Sequence, residues 1–433
     1  MKMHETKQPR PRRVGANLLF GIGLAACALT LTCGGGQQAK TDDGRTIIRF
    51  WQFWTEPRVK AVITQAVAEF EEENSEYSVE VTDLTWDNGY QKIVAAFAAE
   101  RVPDLIELGS DWVTQFADRG ALMDLTSEFG NMQMMYAGWA PAIYGNACWA
   151  LPWYISTRVF YQNDDIAKLV QGGARPHPIV WGTIAKNAQV ATVRKPQMWG
   201  YGVNAAEPHR LYKKFLPFLW SAGGEILNED MSACALNSDA GRLALDFVAK
   251  TADFGIIEKQ AALDELFVEG KLLYHLSGDW LYEKLKRSGT SMEYSVFMIP
   301  FPAPAVGGQV SFAGGEYLAI PRRGAQKIAA LKLARHLLLK KHIFNLCIAT
   351  GCATPVHREV AQDPYFAQDS IRRVFIDQIG RSKSPPNHPR WVDIEAALEW
   401  GIEQALYKKL SVDEALRQTC ERIDAILQSE RES

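Results

Sequence analysis

From Thr46 the chain reads Thr-Ile-Ile-Arg-Phe-Trp-Gln-Phe, a nearly unbroken apolar run of strand length. Such a run predicts a strand buried on both faces, as inside a parallel sheet. Pro57 opens the next segment, where Val59, Val62, Ile63, Ala66, Val67 and Phe70 recur at helical spacing. One apolar stripe of this kind predicts an amphipathic helix. Proline fits its first turn because the N–H it lacks would have no partner there. Tyr77, Val79 and Val81 then alternate and predict a second strand. Tyr90, Ile93, Val94 and Phe97 mark a second helix, and Leu105 to Gly109 a third, short strand. The order β-α-β-α-β implies a parallel sheet with crossover helices.

In such sheets a ligand sits outside the carboxyl ends of the strands. That rule selects three corners: Trp54-Thr55-Glu56, Trp86-Asp87-Asn88 and Ser110-Asp111-Trp112. Each carries a tryptophan and a polar side chain in the same topological position. Phe50, Trp51 and Phe53 belong to the first strand and its flanks, whereas Trp54 and Glu56 lie past its end and are expected to face a cleft.

Beyond the third strand the pattern continues to alternate. Leu151 to Tyr161 contains two short strands around Pro152-Trp153-Tyr154, and Trp181 to Gly200 is mostly helical. Phe218 to Ile226 runs from an apolar helix end into a Gly-Gly turn. A short helix, a turn at Gly270, a strand and a turn at Ser277-Gly278 follow. Val310 to Pro321 reads as a strand pair, and the tail from Trp391 to Leu427 as helix. The 433 residues exceed the roughly 250–300 that one core organises, so two lobes are expected.

The first residues do not fit this pattern. Lys2, Lys7, Arg10, Arg12 and Arg13 precede an uncharged apolar run from Val14 to Ala26, the layout of a secretory signal. Leu-Ala-Ala-Cys ending at Cys27, or Thr-Leu-Thr-Cys ending at Cys33, is expected to supply a lipidated cysteine, with the Gly/Gln-rich stretch after it as a tether. An acyl-anchored cysteine needs no transmembrane helix. Net charge is −3 and no long basic block occurs, which argues against nucleic acid as a partner. The other cysteines, at 148, 234, 347, 352 and 420, are odd in number and lack a Cys-x-x-Cys motif, so neither a metal knuckle nor a redox dithiol is expected. A Cys347–Cys352 bond is one possibility; small buried residues near a helix end are the other.

Enzyme signatures are scarce: no G-x-S-x-G, Walker loop, H-E-x-x-H or G-x-G-x-x-G after the first strand. His336 and His342 are six apart, which is not one helix face, and this argues against a metal site. Glu56, Asp111, Asp279 and Glu316 are candidates for a glycosidase pair, but a saccharide binder needs the same carboxylates as acceptors. Aromatic faces and charged acceptors together suit a sugar, whose C–H face packs on a ring and whose hydroxyls pair with polar side chains. The carboxylates at the three corners point to a neutral or cationic ligand; a phosphate would want Arg or Lys.

The segments Phe50–Pro57, Gly89–Thr126, Ala150–Tyr154, Phe218–Glu229, Phe267–Trp280 and Gly314–Pro321, in this order and spacing, resemble the extracellular solute-binding proteins of bacterial ATP-driven sugar importers, the family-one or maltose-type group. The resemblance runs from about Thr46 to about Leu427. It implies an α/β fold of the two-lobe periplasmic-binding-protein type (type II), with ligand between lobes formed by residues 45–155 and 305–360 and by 156–304 and 361–433. Residues 1–33 would be the signal ending in the lipobox and 34–44 the tether. By the same resemblance the ligand contacts are Trp54, Glu56, Ser110, Asp111, Trp153, Tyr154, Asp279, Trp280, and Gly315 with Glu316 in a turn. Tyr90 reaches in from the second helix, and Trp220 serves either ligand or packing. Trp86, Trp112, Trp391 and Trp400 fall nearer core or rim. Val180-Trp181-Gly182-Thr183 and Leu272-Leu273-Tyr274-His275 depart from the usual pattern, and His275 reads as a satisfied strand residue. The implied protein is a non-enzymatic, exported, membrane-anchored monomer with no cofactor or metal. It would deliver a mono- or oligosaccharide to membrane permease subunits. A non-sugar polar solute, such as a polyol or polyol phosphate, is the alternative, followed by an enzyme acting on saccharides.

Overall fold

The computed structural model describes residues 40–172, 177–194, 197–205, 207–303 and 307–431. The basic and apolar leader, with Cys27 and Cys33, lies outside them. The expected tether is described only at its end, where Lys40 bridges Thr46 across a turn at Thr41–Gly44.

The strands are β1 (Thr46–Gln52), β2 (Tyr77–Asp83), β3 (Leu105–Gly109), β4 (Ile143–Tyr144), β5 (Ala147–Cys148), β6 (Leu151–Thr157), β7 (Val159–Asn163), β8 (Trp199–Asn204), β9 (Gly255–Glu258), β10 (Leu272–Ser277), β11 (Tyr294–Phe297), β12 (Ser311–Ala319) and β13 (Ser382–Lys383). They form two larger sheets and a small β4–β5 ladder. One sheet has the order β13-β12-β3-β1-β2, with β6 also on β12; the other has the order β11-β7-β10-β8-β9. β1 runs parallel to β2 and β3, as the β-α-β-α-β pattern requires, with Phe50 opposite both Val81 and Leu105. β12 crosses this parallel set as an antiparallel strand against β3 and β6.

Pro57 starts the first helix, Pro57–Glu73, and Val59, Ile63, Ala66, Val67 and Phe70 form its buried face. They pack on Ile48 and Phe50 and on the helices Lys327–Leu337 and Lys340–Thr350. The second sheet is covered by Trp181–Arg194, Leu211–Ser221, Asp239–Ala252 and Trp391–Leu406, whose apolar residues share another core cluster with Leu416, Ile423 and Leu427 of the last helix. No helix among the described residues is long and apolar enough to cross a membrane.

Three expectations change. β1 is not buried on both faces: Arg49 is exposed, within 3.8 Å of Glu80, while Ile48, Phe50 and Gln52 face inward. Val310 to Pro321 holds one strand rather than a pair, and Gly314-Gly315 is mid-strand rather than a turn. A Cβ on Gly315 would lie 1.8 Å from the Tyr154 carbonyl oxygen, so glycine here permits the approach of β6. The disulfide joins Cys234 to Cys420, which sit 186 residues apart, and ties the last helix to the segment before Asp239–Ala252. Cys347 and Cys352 are buried free thiols at the end of Lys340–Thr350.

The chain passes from the first sheet to the second between Thr157 and Val159, with only Arg158 between, and returns between β11 and β12. Residues at these crossings and at the strand ends surround a cavity.

Candidate solute-binding cleft

The cavity measures about 340 Å³ and is walled from both sheets. From the first come Trp54, Trp86 and the Gly109-Ser110-Asp111 corner, each just past a strand's carboxyl end. β6 contributes Tyr154 and Ser156, and Arg158 follows one residue past its end; the three share one face because alternate residues of an extended chain do. β12 adds Phe312 and Gly314 to Glu316. The opposite wall carries Glu207, Arg210, Lys213, Gln260, Asp264 and Trp280. Three larger hollows, of about 550, 740 and 420 Å³, lie elsewhere among the described residues, the last a shallow surface depression around Lys340, Phe344 and Glu359. The first is lined mostly by small and apolar residues around Ile155 and Ile376; the second holds Val94, Phe97 and a cluster of arginines. None of the three combines indole faces with carboxylates.

The aromatic walls are held rigidly. Trp54 meets Tyr154 edge to face at 5.1 Å, and Trp86 stacks on Phe53 at 4.3 Å. Trp280 donates its indole N–H to Asp264 (2.9 Å) and carries the Arg158 guanidinium 4.7 Å from its ring centre. The Trp54 indole N–H is buried and has no hydrogen-bond partner among the described residues.

The charges divide into spent and unspent groups. Asp111 accepts from the Tyr212 hydroxyl (2.6 Å) and lies 3.3 Å from Lys213 Nζ. Burial pulls its pKa up, but Lys213 and the Tyr212 hydroxyl outweigh this, and the carboxylate stays below its usual range. Asp264 also accepts from His275, Ser277 and Gln260. Glu316 is different: burial pushes it up to about 7 against the pull of Lys213, Arg210 and Arg158. Its Oε2 is buried with no hydrogen-bond partner among the described residues. Among the described residues Arg158 donates only to the Thr157 carbonyl (3.2 Å), its Nε has no hydrogen-bond partner, and no carboxylate lies within ion-pair distance. An unpaired buried donor or acceptor costs about 1–3 kcal/mol. The cavity therefore presents three ready groups, Trp54 Nε1, Glu316 Oε2 and the Arg158 guanidinium, whose hydrogen bonds a polar solute would complete.

The loop before Leu211–Ser221 aims the cations. Glu399, on the helix Trp391–Leu406, accepts from the backbone N–H groups of His209 (3.1 Å), Arg210 (2.9 Å) and Tyr212 (3.2 Å). The last two are free donors of the helix start, whose N-cap is Arg210, and holding this stretch sets the direction of Arg210 and Lys213, which line the cavity. Glu395 binds the His209 ring from the same helix.

A profile described as a bacterial extracellular solute-binding protein matches residues 65–373, well over half the chain. The chain belongs to the bacterial extracellular solute-binding proteins. A Brucella abortus (strain 2308) protein, named only as a binding protein, is 22% identical over 429 residues, 96% of this chain and 99% of its own. Among solved structures, an ABC-transporter solute-binding protein of Thermotoga lettingae bound with α-D-tagatose aligns with TM-score 0.80 at 23% identity, over 88% of this chain and 99% of that one. GacH of Streptomyces glaucescens, solved unliganded and with acarbose, gives 0.77 at 20%, over 88% and 98%. UgpB of Mycobacterium tuberculosis in complex with glycerophosphocholine gives 0.77 at 21%, over 89% and 100%. These likenesses establish the two-lobe α/β fold.

In this solute-binding protein Trp54, Ser110, Asp111, Tyr154, Trp280, Gly315 and Glu316 line the cavity together. The other expected contacts do not. Glu56 is exposed and caps the first helix, accepting from the N–H groups of Arg58 and Val59 (both 3.1 Å). Tyr90 donates to Gln115 (2.7 Å). Trp153 is buried against Phe50 at 6.0 Å in the first core, and Trp220 is buried in the second. Asp279 is fully buried beneath the cavity floor, accepting from Tyr154, Ser156 and Ala353. His275 is buried and bound to Asp264. Sequence reasoning picked out the Trp86 corner but set Trp86 nearer core or rim, and it missed Ser156, Arg158, Arg210, Lys213 and Asp264. It therefore also missed that cations share the cleft with carboxylates, and the argument against an anionic ligand loses its premise.

Proposed function

We propose that the protein captures a small saccharide in this cleft and hands it to the membrane subunits of an ATP-driven importer. The supporting observation is the set of three indole faces, Trp54, Trp86 and Trp280, around carboxylate acceptors in one interlobe cavity. Its volume is near the low end of the roughly 300–1,000 Å³ usual for small-molecule sites, which favours a mono- or disaccharide over a long chain. The structural relatives bound to tagatose and acarbose support the same class. The ligand contacts proposed are the cavity residues Trp54, Ser110, Asp111, Tyr154, Trp280, Gly315 and Glu316, with Arg158 added. Lobes of residues 45–155 and 305–360 and of 156–304 and 361–433, working as a monomer, would close on the ligand. Export with lipidation at Cys27 or Cys33, and binding without turnover, complete the reading.

The second reading, an anionic polyol or phosphoester, is favoured by one observation, the buried and carboxylate-free Arg158. The relative bound to glycerophosphocholine supports it. A thermal-shift screen against neutral sugars, polyols and their phosphates separates the two, because a ligand that binds only the folded state raises the melting temperature by mass action. Neutral mono- or disaccharides should shift it, and Trp280→Ala should abolish the shift. A response confined to phosphorylated ligands would replace the first reading with the second. Turnover of a bound sugar would replace both with an enzyme.

A further inference from the structure

Away from the cleft, on the outer side of the first lobe, three helices bring Glu69, His336 and His342 together with their ligand-type atoms all within 4.8 Å of one another. The six-residue spacing that argued against a metal presumed a single helix. Instead His336 ends Lys327–Leu337 and His342 begins Lys340–Thr350. The break at Leu338-Leu339 turns the two rings to face each other at 4.5 Å. From this geometry we propose a divalent transition-metal site, of zinc type, made by His336, His342 and Glu69, with Glu73 as the fourth donor.

Four features carry the assignment. Zinc bonds of about 2.0–2.1 Å in a tetrahedron put donor atoms about 3.3 Å apart. His336 Nδ1 lies 3.3 Å from Glu73 and His342 Nε2 lies 3.9 Å from Glu69, so modest side-chain rotation closes the site. His342 Nε2 is buried and makes no hydrogen bond among the described residues, and the residue is only 5% exposed. His336 places its Nε2 3.0 Å from the Ala66 carbonyl. Donating there leaves Nδ1 as the lone-pair nitrogen, the orientation typical of a metal-bound histidine. Glu69 and Glu73 are one helical turn apart on Pro57–Glu73 and partly exposed, giving both a shared face and an entry path. The mixed nitrogen and oxygen donors suit zinc and its neighbours rather than calcium or magnesium. Lys341 now holds this position, with its ammonium 2.7 Å from Glu69 and 3.9 Å from Glu73. It is half exposed and free to swing into solvent when a metal displaces it.

The test uses the tag-free full-length mature protein with zinc alone, then cobalt(II) as a spectroscopic probe. Zinc should raise the melting temperature and chelator should reverse the rise. Cobalt should give the visible absorption of a tetrahedral site. His342→Gln should weaken zinc at least about tenfold, the scale of losing a metal-site partner, and Lys341→Ala, which removes the competing cation, should tighten it. No thermal shift in the wild type would overturn the assignment. So would zinc affinity unchanged in both His342→Gln and Glu69→Gln, which would mean the metal binds elsewhere. Lys341→Ala lies on the surface and keeps the test decisive should His342→Gln fail to fold.

Discussion

Replacing Asp279 tests how the two sheets are held around the cleft. Asp279 opens the helix after β10, in the second sheet, and is fully buried. One carboxylate oxygen accepts from the hydroxyls of Tyr154 (2.8 Å) and Ser156 (2.9 Å), both on β6 of the first sheet; the other accepts from the Ala353 N–H (2.9 Å). Asp279→Ala strips all three donors of their acceptor. At about 1–3 kcal/mol per orphaned buried donor the sum would approach ~9 kcal/mol. Two corrections reduce it. Tyr154 and Ser156 also line the cavity, so their hydroxyls can turn to water. Burial also raises the Asp279 pKa, so the carboxylate is held at a desolvation cost that alanine relieves. The expected net loss is about 2–4 kcal/mol. Asp279→Asn should cost only about 1 kcal/mol, because its amide oxygen can accept from Ala353 while its NH2 donates to the two hydroxyls. Urea unfolding at neutral pH, with slopes compared to confirm a constant unfolding reaction, reads both values. The reasoning fails if Asp279→Ala unfolds within about 0.5 kcal/mol of wild type, the usual range of inert substitutions. It fails equally if asparagine is as damaging as alanine. A variant of normal stability that no longer binds solute would return Asp279 to the ligand contacts.

Glu56→Ala should lose about 0.5–2 kcal/mol in the same assay, the worth of a helix cap, with solute affinity unchanged; lost affinity would put Glu56 back in the cleft. Glu316 moves from an ordinary 4.5 to about 7 on burial, so the folded state keeps a proton that the unfolded chain releases. Its contribution is therefore full at low pH, falls as pH rises from about 4.5 to 7 by up to ~3 kcal/mol, and levels off above that. Glu395, also pushed up to about 7 by burial, adds a fall of the same sign. Glu316→Gln should flatten part of this slope in unfolding measured across pH, and an unchanged slope refutes the assignment. Replacing both Cys234 and Cys420 with serine opens a loop of 186 residues. Chain entropy sets about 5 kcal/mol as the largest loss, and about 2–4 kcal/mol is expected from thermal or urea unfolding.

Much of the fold was legible because it rests on local periodicities. The alternation in β2, the stripe on Pro57–Glu73 and the proline at its start each follow from spacing alone. The strand-corner rule picked out Trp54, Ser110 and Asp111, and all three line the cavity because they follow strands of one parallel sheet. The misplaced contacts broke a rule the same sequence contained. Trp153 and Tyr154 are neighbours on β6, and neighbours on a strand point to opposite faces, so naming both as contacts assured one error. Keeping Tyr154 and stepping by two would have added Ser156 and Arg158, and with Arg158 the cationic side of the cleft.

Other features had no local signal. Arg210 and Lys213 reach the cavity because Glu399, nearly two hundred residues later, holds the backbone before them. Cys234 finds Cys420 across a similar distance. His336 and His342 meet only because a two-residue helix break lies between them, and no periodicity marks its angle. Glu56 shows the reverse: a Glu immediately before Pro-Arg-Val at a strand end is also the pattern of a helix cap, and its carboxylate accepts from the free N–H groups of that helix. A polar residue at a strand's carboxyl end thus has two competing uses. In this chain the one that begins a long helix is taken by the helix, whereas Ser110 and Asp111 remain on the cavity wall.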